Sequence, residues 1–273
     1  MFKPKVLISI KNIEDLSLKA DGYVLGYEKF TLFASHSFKY EELLKIKQLD
    51  KVYLLLNALI HQDKWEEFKK EADKLTKLPI NFIIQDIGAF NYIKEIVGPD
   101  RVIFDSSTLI CNKQDFETYQ NVLGSKIAIS SCLSFDETKE ICSLGNSLVK
   151  VFGYVPIYQS YRKVLSLYED EKSIKINGEN INLREDTRPN LYSIIENEYG
   201  TTVFSSKIIS YLGKLKELDN VSIIFADSYN IEDESFKFVL DLINCELYEE
   251  LDENTIKNRL ISLNLSLAEE LKS

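Results

Sequence analysis

The chain has 273 residues, of which 45% are hydrophobic and 28% are charged. This mixture is typical of a globular protein with a sizeable core and excludes a wholly disordered or collagen-like chain. The 43 acidic and 33 basic residues give a net charge of -10, so the composition offers no general attraction to nucleic acid or to an anionic membrane. No apolar run reaches about 18 residues, which excludes a membrane-spanning helix, and no export signal is recognisable. We therefore expect a cytoplasmic protein.

The cysteines and histidines give no pattern of metal ligands. None of the four cysteines has CxxC spacing, which favours reduced and mostly buried thiols over a metal or redox site. The two histidines would both be consumed by a single zinc site. We predict no metal and no cofactor from these residues, which are Cys111, Cys132, Cys142, Cys245, His36 and His61.

Short apolar runs alternate with amphipathic stretches along most of the chain. Near-continuous apolar runs are typical of parallel strands that are covered on both faces. Eight such runs, most of them followed by a helical pattern, predict a (β/α)8 barrel, whose usual length is about 250 residues. The alternative is an open doubly wound sheet, but no glycine-rich loop follows the first run. The predicted strands are 6–10, 22–27, 52–58, 80–88, 102–105, 127–131, 149–156 and 221–227.

The strand and helix rhythm breaks between residues 160 and 206. Alternation around Asn177-Gly178 predicts one hairpin over 173–183, and 191–206 predicts a second pair of strands. We interpret this region as an antiparallel insertion in one barrel domain that spans residues 1–273. Helices are predicted at 40–49, 64–77, 90–97, 113–122, 136–144, 207–218, 235–243 and 254–271.

Several strand ends match motifs in the same order as those of a known family. The segment INFIIQDIG at 80–88 is similar to DAxIVQDLG, and ADGYVLGYEKFT at 20–31 is similar to GADAVYLGGxxFS. The segment FGYVPIYQSYRKVLS at 152–166 is similar to HGALCVAYSGRCLLS. On these motifs the chain resembles the U32 peptidase family, also described as collagenase-like proteases. The resemblance implies a barrel fold, and its members have been linked to proteolysis or to cluster-dependent hydroxylation of RNA bases or quinone precursors.

The chain departs from the family pattern at the residues that carry chemistry. Many members hold an iron-sulfur cluster on four cysteines, and the first two of these align with Pro156 and Lys163. Neither side chain can replace a thiolate ligand. The family's Arg-Glu pair aligns with Ser131-Cys132. The resemblance therefore implies a divergent member with a degenerate site and without the cysteine cluster.

Polar residues follow the predicted strands at the end where barrel enzymes place their active sites. We predict Asp86, Asn57 and Asp227 as catalytic residues, because converging carboxylates can act as acid and base or bind a cation. The alternative is that the acids cap the helices that follow. Further binding residues are predicted at the same edge and in the aromatic segment after the seventh strand: Asp105, Thr108, Ser130, Tyr158 and Arg162.

Two functions remain open on these observations. The first is an accessory or ligand-binding subunit without a cluster, whose partner is a related U32-family subunit or a second copy of the chain. The second is a hydrolase of the peptidase type, or an enzyme related to RNA modification, that uses the strand-end carboxylates. Binding of nucleic acid follows from the resemblance and not from the charge. The ligand, whether a small molecule or a peptide, is not defined by the sequence.

Overall fold

The computed structural model describes residues 3–176, 181–187, 189–248, 251–263 and 265–268. Eight parallel strands form a closed barrel, because the first strand pairs with both the last and the second. The predicted (β/α)8 fold is confirmed. In barrel order from the first, the strands are β1 (Lys5–Ser9), β2 (Gly22–Tyr27), β4 (Val52–Leu56), β5 (Asn81–Ile84), β6 (Val102–Phe104), β7 (Lys126–Ala128), β8 (Ser147–Gly153) and β14 (Ile223–Ala226).

Helices cover the outside of the barrel. The sequence predicted most of them, although the first is shorter than expected. They are α1 (Tyr40–Leu43), α2 (Trp65–Leu75), α3 (Ile87–Val97), α4 (Lys113–Leu123), α5 (Phe135–Cys142), α6 (Val164–Lys172), α7 (Asp233–Leu247) and α8 (Glu253–Ser262). No helix in the described ranges is both long enough and apolar enough to cross a membrane.

The insertion after β8 is a four-stranded antiparallel sheet. Its strands, in sheet order, are β10 (Ile181–Arg184), β11 (Leu191–Asn197), β12 (Gly200–Phe204) and β9 (Pro156–Ser160). Two short strands, β3 (Ser37–Phe38) and β13 (Ile209–Ser210), pair with barrel strands β2 and β8. The predicted pairing over 191–206 is confirmed, with Asn197 opposite Gly200 at the turn.

Two predicted elements were wrong in type. The hairpin over 173–183 does not form as predicted, because residues 173–176 form no strand and β10 pairs with β11 instead. Its predicted turn, at residues 177–178, lies outside the described residues. The helix over 207–218 is replaced by β13 and a single 3-10 turn, with Gly213 at a positive φ of 89°. A left-handed residue of this kind interrupts an α-helix.

The last predicted helix is shorter than 254–271. It ends at Ser262, and Leu267 pairs with Ile208. The backbone N–H of Ile208 donates to Ser266 and that of Ala268 donates to Ile208. Residues 264 and 269–273 lie outside the described residues.

Each barrel strand separates two apolar layers. Along β1, Leu7 points into the barrel, while Val6 and Ile8 pack towards the helices. The same alternation along β8 places Leu148 inside and Val149 outside. A side chain two residues after Leu148 therefore also points into the barrel, towards its carboxyl end.

Candidate functional site

The predicted catalytic residues lie at one end of the barrel. Asn57 follows β4, Asp86 follows β5 and Asp227 follows β14. Since all eight strands are parallel, their carboxyl ends meet at the same mouth. The side chains nevertheless divide between a central cavity, lined by Asn57 and Asp227, and a neighbouring side cavity, lined by Asp86.

The central cavity lies at the barrel mouth and has a volume of about 70 Å³. Its floor is formed by apolar side chains such as Ile83 and Leu148. Its polar lining includes Lys150, Asp227 and Asp105. Apolar walls with a few converging charged groups are features of small-ligand sites, but this volume is below the roughly 300–1,000 Å³ of such sites.

A buried ion pair joins two barrel strands in this cavity. The Lys150 ammonium Nζ lies 2.8 Å from Asp227 Oδ2 and donates a second hydrogen bond of 2.6 Å to the backbone oxygen of Tyr154. The side chains of Lys150 and Asp227 are only 10% and 9% exposed. Water therefore screens their attraction little.

Hydroxyl groups complete the shell of the Asp227 carboxylate. Ser9 Oγ donates to Asp227 Oδ1 at 2.8 Å, and Ser35 Oγ donates to the same atom at 3.0 Å. The backbone N–H of Tyr229 donates to it at 3.1 Å. Burial by itself raises the pKa of Asp227, but the Lys150 ammonium and these hydrogen bonds outweigh burial and lower the pKa below its usual value.

The Asp105 carboxyl has the opposite electrostatic character. Burial raises its pKa, although the backbone N–H of Ser107, which donates to Asp105 Oδ1 at 2.9 Å, and the more distant charge of Lys150 oppose the rise. Asp105 and Asp227 line the same cavity with pKa values displaced in opposite directions. Two carboxyls of this kind can act as proton donor and proton acceptor at one ligand.

Asn57 lines the central cavity together with Asp227, whereas Asp86 lines the side cavity, and both side chains hold the backbone. Asn57 Oδ1 accepts hydrogen bonds from the backbone N–H of Leu32 at 2.8 Å and Phe33 at 3.3 Å, and its Nδ2 donates to Phe33. Asp86 is the N-cap of α3, where Oδ1 accepts from Ala89 at 2.8 Å. The geometry favours the capping alternative for Asp86, and a catalytic role for either residue stays a prediction.

The predicted binding residues are also distributed. Asp105 lines the central cavity, while Thr108 and Tyr158 line the side cavity. Ser130 is buried, and its Oγ accepts from the backbone N–H of Cys132 at 3.3 Å. Arg162 is exposed on the insertion and lies outside the lining of both cavities among the described residues. Their binding roles stay predictions.

Lys150 was missed by the sequence reasoning. The only signal was one lysine in the buried strand SLVKVFG, two residues after an inward-facing leucine. Ser9, at the end of β1, was missed for a similar reason, because one serine after an apolar run looks like a strand end.

A model of peptidase family U32 matches residues 13–240. This chain belongs to the U32 family. It is similar to a curated protein called tRNA hydroxylation protein P2 from Bacillus subtilis (strain 168), with 23% identity over 256 residues. The match covers 85% of this chain and 80% of that protein. No solved structure matches the chain.

The residues of this U32 protein do not fit the iron-sulfur cluster that its family implies. Cys111 and Cys132 are exposed in loops, while Cys142 is buried in α5 and burial raises the pKa of its thiol to about 11. Cys245 lies on α7. Within the described ranges no group of three or more His, Cys, Asp or Glu side chains could hold a metal ion. A thiolate-bound cluster needs such a group, so we derive no chemistry through one.

Proposed function

We propose that this chain is a U32-family subunit without a cluster that binds a small oxygen-rich ligand at the barrel mouth and takes part in tRNA hydroxylation. In this proposal a related, cluster-bearing partner supplies the redox chemistry. The family match and the printed name of the Bacillus relative support the link to RNA. The described residues do not group the ligands that a metal-based redox centre needs. This supports the assignment of the redox chemistry to a partner.

The observation that carries the proposal is the Lys150–Asp227 pair beside Asp105. An ammonium group has three N–H donors, and Tyr154 and Asp227 take two of them. The third remains for a carboxylate or carbonyl oxygen of a ligand in the cavity. Asp105 adds a second donor when it is protonated, which its raised pKa favours. The mouth is therefore suited to hold an oxygen-bearing ligand and to exchange a proton with it.

Nucleoside analysis of tRNA tests this function. Removal of the gene from its host should eliminate a tRNA nucleoside that is one oxygen heavier than its parent. The wild-type gene should restore it, while Lys150→Met should not. Lys172→Met is the matched control, because that lysine is 52% exposed on α6 and should restore the nucleoside fully. An unchanged nucleoside profile after removal of the gene would overturn the proposal.

Iron analysis tests the missing cluster separately. After anaerobic reconstitution with iron and sulfide, the purified chain should contain no stoichiometric iron and show no broad visible absorbance. About four irons per chain would contradict the cluster-free assignment, since this is the content of a [4Fe–4S] centre.

A second candidate function is hydrolysis, which the opposite pKa shifts of Asp105 and Asp227 favour. A carboxyl with a raised pKa can protonate a leaving group, and an ionised one can orient water. Release of new amino termini from an unfolded protein substrate would support this function. The activity should then disappear in Asp105→Asn.

A further inference from the structure

A second, larger cavity lies beside the barrel mouth and has a volume of about 530 Å³. It opens between the ends of β5 and β6 and strand β9 of the insertion. Gln85 and Pro156 line both cavities, so the two are neighbours. Its volume falls within the roughly 300–1,000 Å³ of typical small-molecule sites.

Two buried polar atoms in the lining of this side cavity have no hydrogen-bond partner among the described residues. They are Ser106 Oγ and Gln159 Nε2. Ser106 is only 7% exposed. The amide of Gln159 is oriented by Gln85, whose Nε2 donates to Gln159 Oε1 at 3.1 Å. Buried polar groups are rarely left unpaired in folded proteins, so these atoms indicate a ligand that pairs with them.

Tyrosine rings form much of the remaining wall. Tyr158 and Tyr161 are each 49% exposed, and the ring of Tyr161 lies edge-on to His61 with centroids 6.0 Å apart. Tyr119 stacks on the buried ring of Phe104, with centroids 5.6 Å apart and planes 17° apart. Flat aromatic surfaces beside a directed amide and hydroxyl suit a planar ligand with hydrogen-bonding groups on its edge.

We propose that the side cavity binds one unpaired nucleobase of a single-stranded RNA segment, which stacks on Tyr158 or Tyr161 and pairs its edge with Gln159 Nε2 and Ser106 Oγ. This inference rests on the proposed function in tRNA hydroxylation and assigns its RNA contact to named residues. The base is brought beside the barrel mouth, because the two cavities share Gln85 and Pro156.

The net charge of the chain and the charged residues near the side cavity indicate how strongly RNA binding should depend on phosphate contacts. The chain carries a net charge of -10, and Asp86 contributes to the lining of the side cavity. Two exposed cations, Arg162 and Lys163, directly follow Tyr161 in the chain. Binding should therefore depend on stacking of the base and on hydrogen bonds to its edge more than on contacts with phosphates. The affinity should fall only weakly with added salt, because the salt slope follows the number of neutralised phosphates.

Fluorescence anisotropy with a labelled single-stranded oligoribonucleotide of mixed sequence tests the site in the full chain. Tyr158→Leu should raise the Kd about tenfold, as expected for loss of one stacked base. Tyr158→Phe should bind like wild type, because it keeps the ring. Tyr168→Leu removes a tyrosine of similar exposure on α6 and should also bind like wild type.

Ser106→Ala separates a ligand contact from a structural one. Since Ser106 Oγ has no partner among the described residues, its removal should leave the melting temperature of the free protein unchanged or raise it, while the Kd increases. A lower melting temperature with unchanged Kd would show a structural role and overturn the assignment.

The outcomes distinguish this inference from the proposed function. If wild type does not bind the oligoribonucleotide, or if Tyr158→Leu and Ser106→Ala bind like wild type, the side cavity is not the base site, whatever the tRNA analysis shows. If both variants weaken binding while removal of the gene leaves tRNA hydroxylation intact, the base site stands and the proposed function fails.

Discussion

The ammonium of Lys150 lies 2.8 Å from the carboxylate of Asp227, and both side chains are about nine-tenths buried. The pair links β8 to β14 at the barrel mouth, where these strands are neighbours in the sheet. Buried pairs of this kind often contribute little net stability compared with apolar residues, but removal of one partner leaves the other charge uncompensated. The pair is therefore weak evidence for a stabilising role, and our proposal assigns it to ligand binding.

Lys150→Met should lower the free energy of unfolding by about 3–5 kcal/mol at neutral pH, because it leaves Asp227 buried without its counter-ion. Urea unfolding followed by circular dichroism measures the change. The double variant Lys150→Met, Asp227→Asn should recover part of the loss. A single variant as stable as wild type would show that the pair is not buried as described.

Asp105→Asn should make the protein more stable at neutral pH. The folded pKa of Asp105 is raised, so the native state holds its proton above the unfolded value near 3.8, and stability falls as the pH rises through the folded pKa. Asparagine does not ionise and keeps an oxygen for the Ser107 N–H. Thermal melts should therefore coincide below about pH 3.8 and diverge above it, with the variant the more stable. Equal melting temperatures at pH 7 would contradict the raised pKa.

Gly153→Ala should disturb the position of Asp227. A Cβ at residue 153 would lie 2.8 Å from Asp227 Cβ, at a φ of +129° that already disfavours a side chain. Gly98→Ala is the control, because Gly98 also has a positive φ of +86° but no atom lies within 4 Å of its added Cβ. Gly153→Ala should lose tRNA hydroxylation and more stability than the roughly 1–3 kcal/mol of backbone strain. If the two variants have the same stability and the same tRNA hydroxylation, displacement of Asp227 has no effect and the prediction is wrong.

Leu260→Ala should destabilise the fold by about 2–5 kcal/mol, because Leu260 and Ile256 of α8 are buried against the chain's own core. Ile261→Ala, at a side chain that is 66% exposed, should change stability by less than about 0.5 kcal/mol. Sedimentation of the intact chain should not depend on this helix. If Leu260→Glu instead releases a folded monomer from a dimer, the apolar face of α8 serves a partner.

The barrel could be predicted from the sequence because its strands are short, nearly continuous apolar runs. Strands of a parallel barrel are covered on both faces, and for this reason nearly every residue in them is apolar. The helix predicted over 207–218 was wrong because a contact with a distant element holds the backbone of this segment in a non-helical conformation. Glu246 of α7 accepts backbone N–H groups of Gly213 and Leu215, each at 2.7 Å, and this contact is invisible from local spacing.

The site was predicted less well than the fold, for a physical reason. A carboxylate after a strand serves equally as a helix cap, as Asp86 does, or as a cavity group, as Asp227 does. The difference depends on which side chain of the neighbouring strand lies beside the carboxylate. Lys150, the partner that decides it, is 77 residues from Asp227 in the chain. Local sequence spacing cannot predict a contact between residues so far apart in the chain.

We propose that the chain takes part in tRNA hydroxylation through its barrel mouth and without a cysteine-bound cluster. Complementation of the gene removal with a chain in which Cys111, Cys132, Cys142 and Cys245 are all replaced by alanine tests it most directly. With protein levels matched by immunoblot, the account predicts wild-type amounts of the hydroxylated tRNA nucleoside from this cysteine-free chain and none from Lys150→Met. Loss of the nucleoside in the cysteine-free chain, together with its persistence in Lys150→Met, would contradict the account.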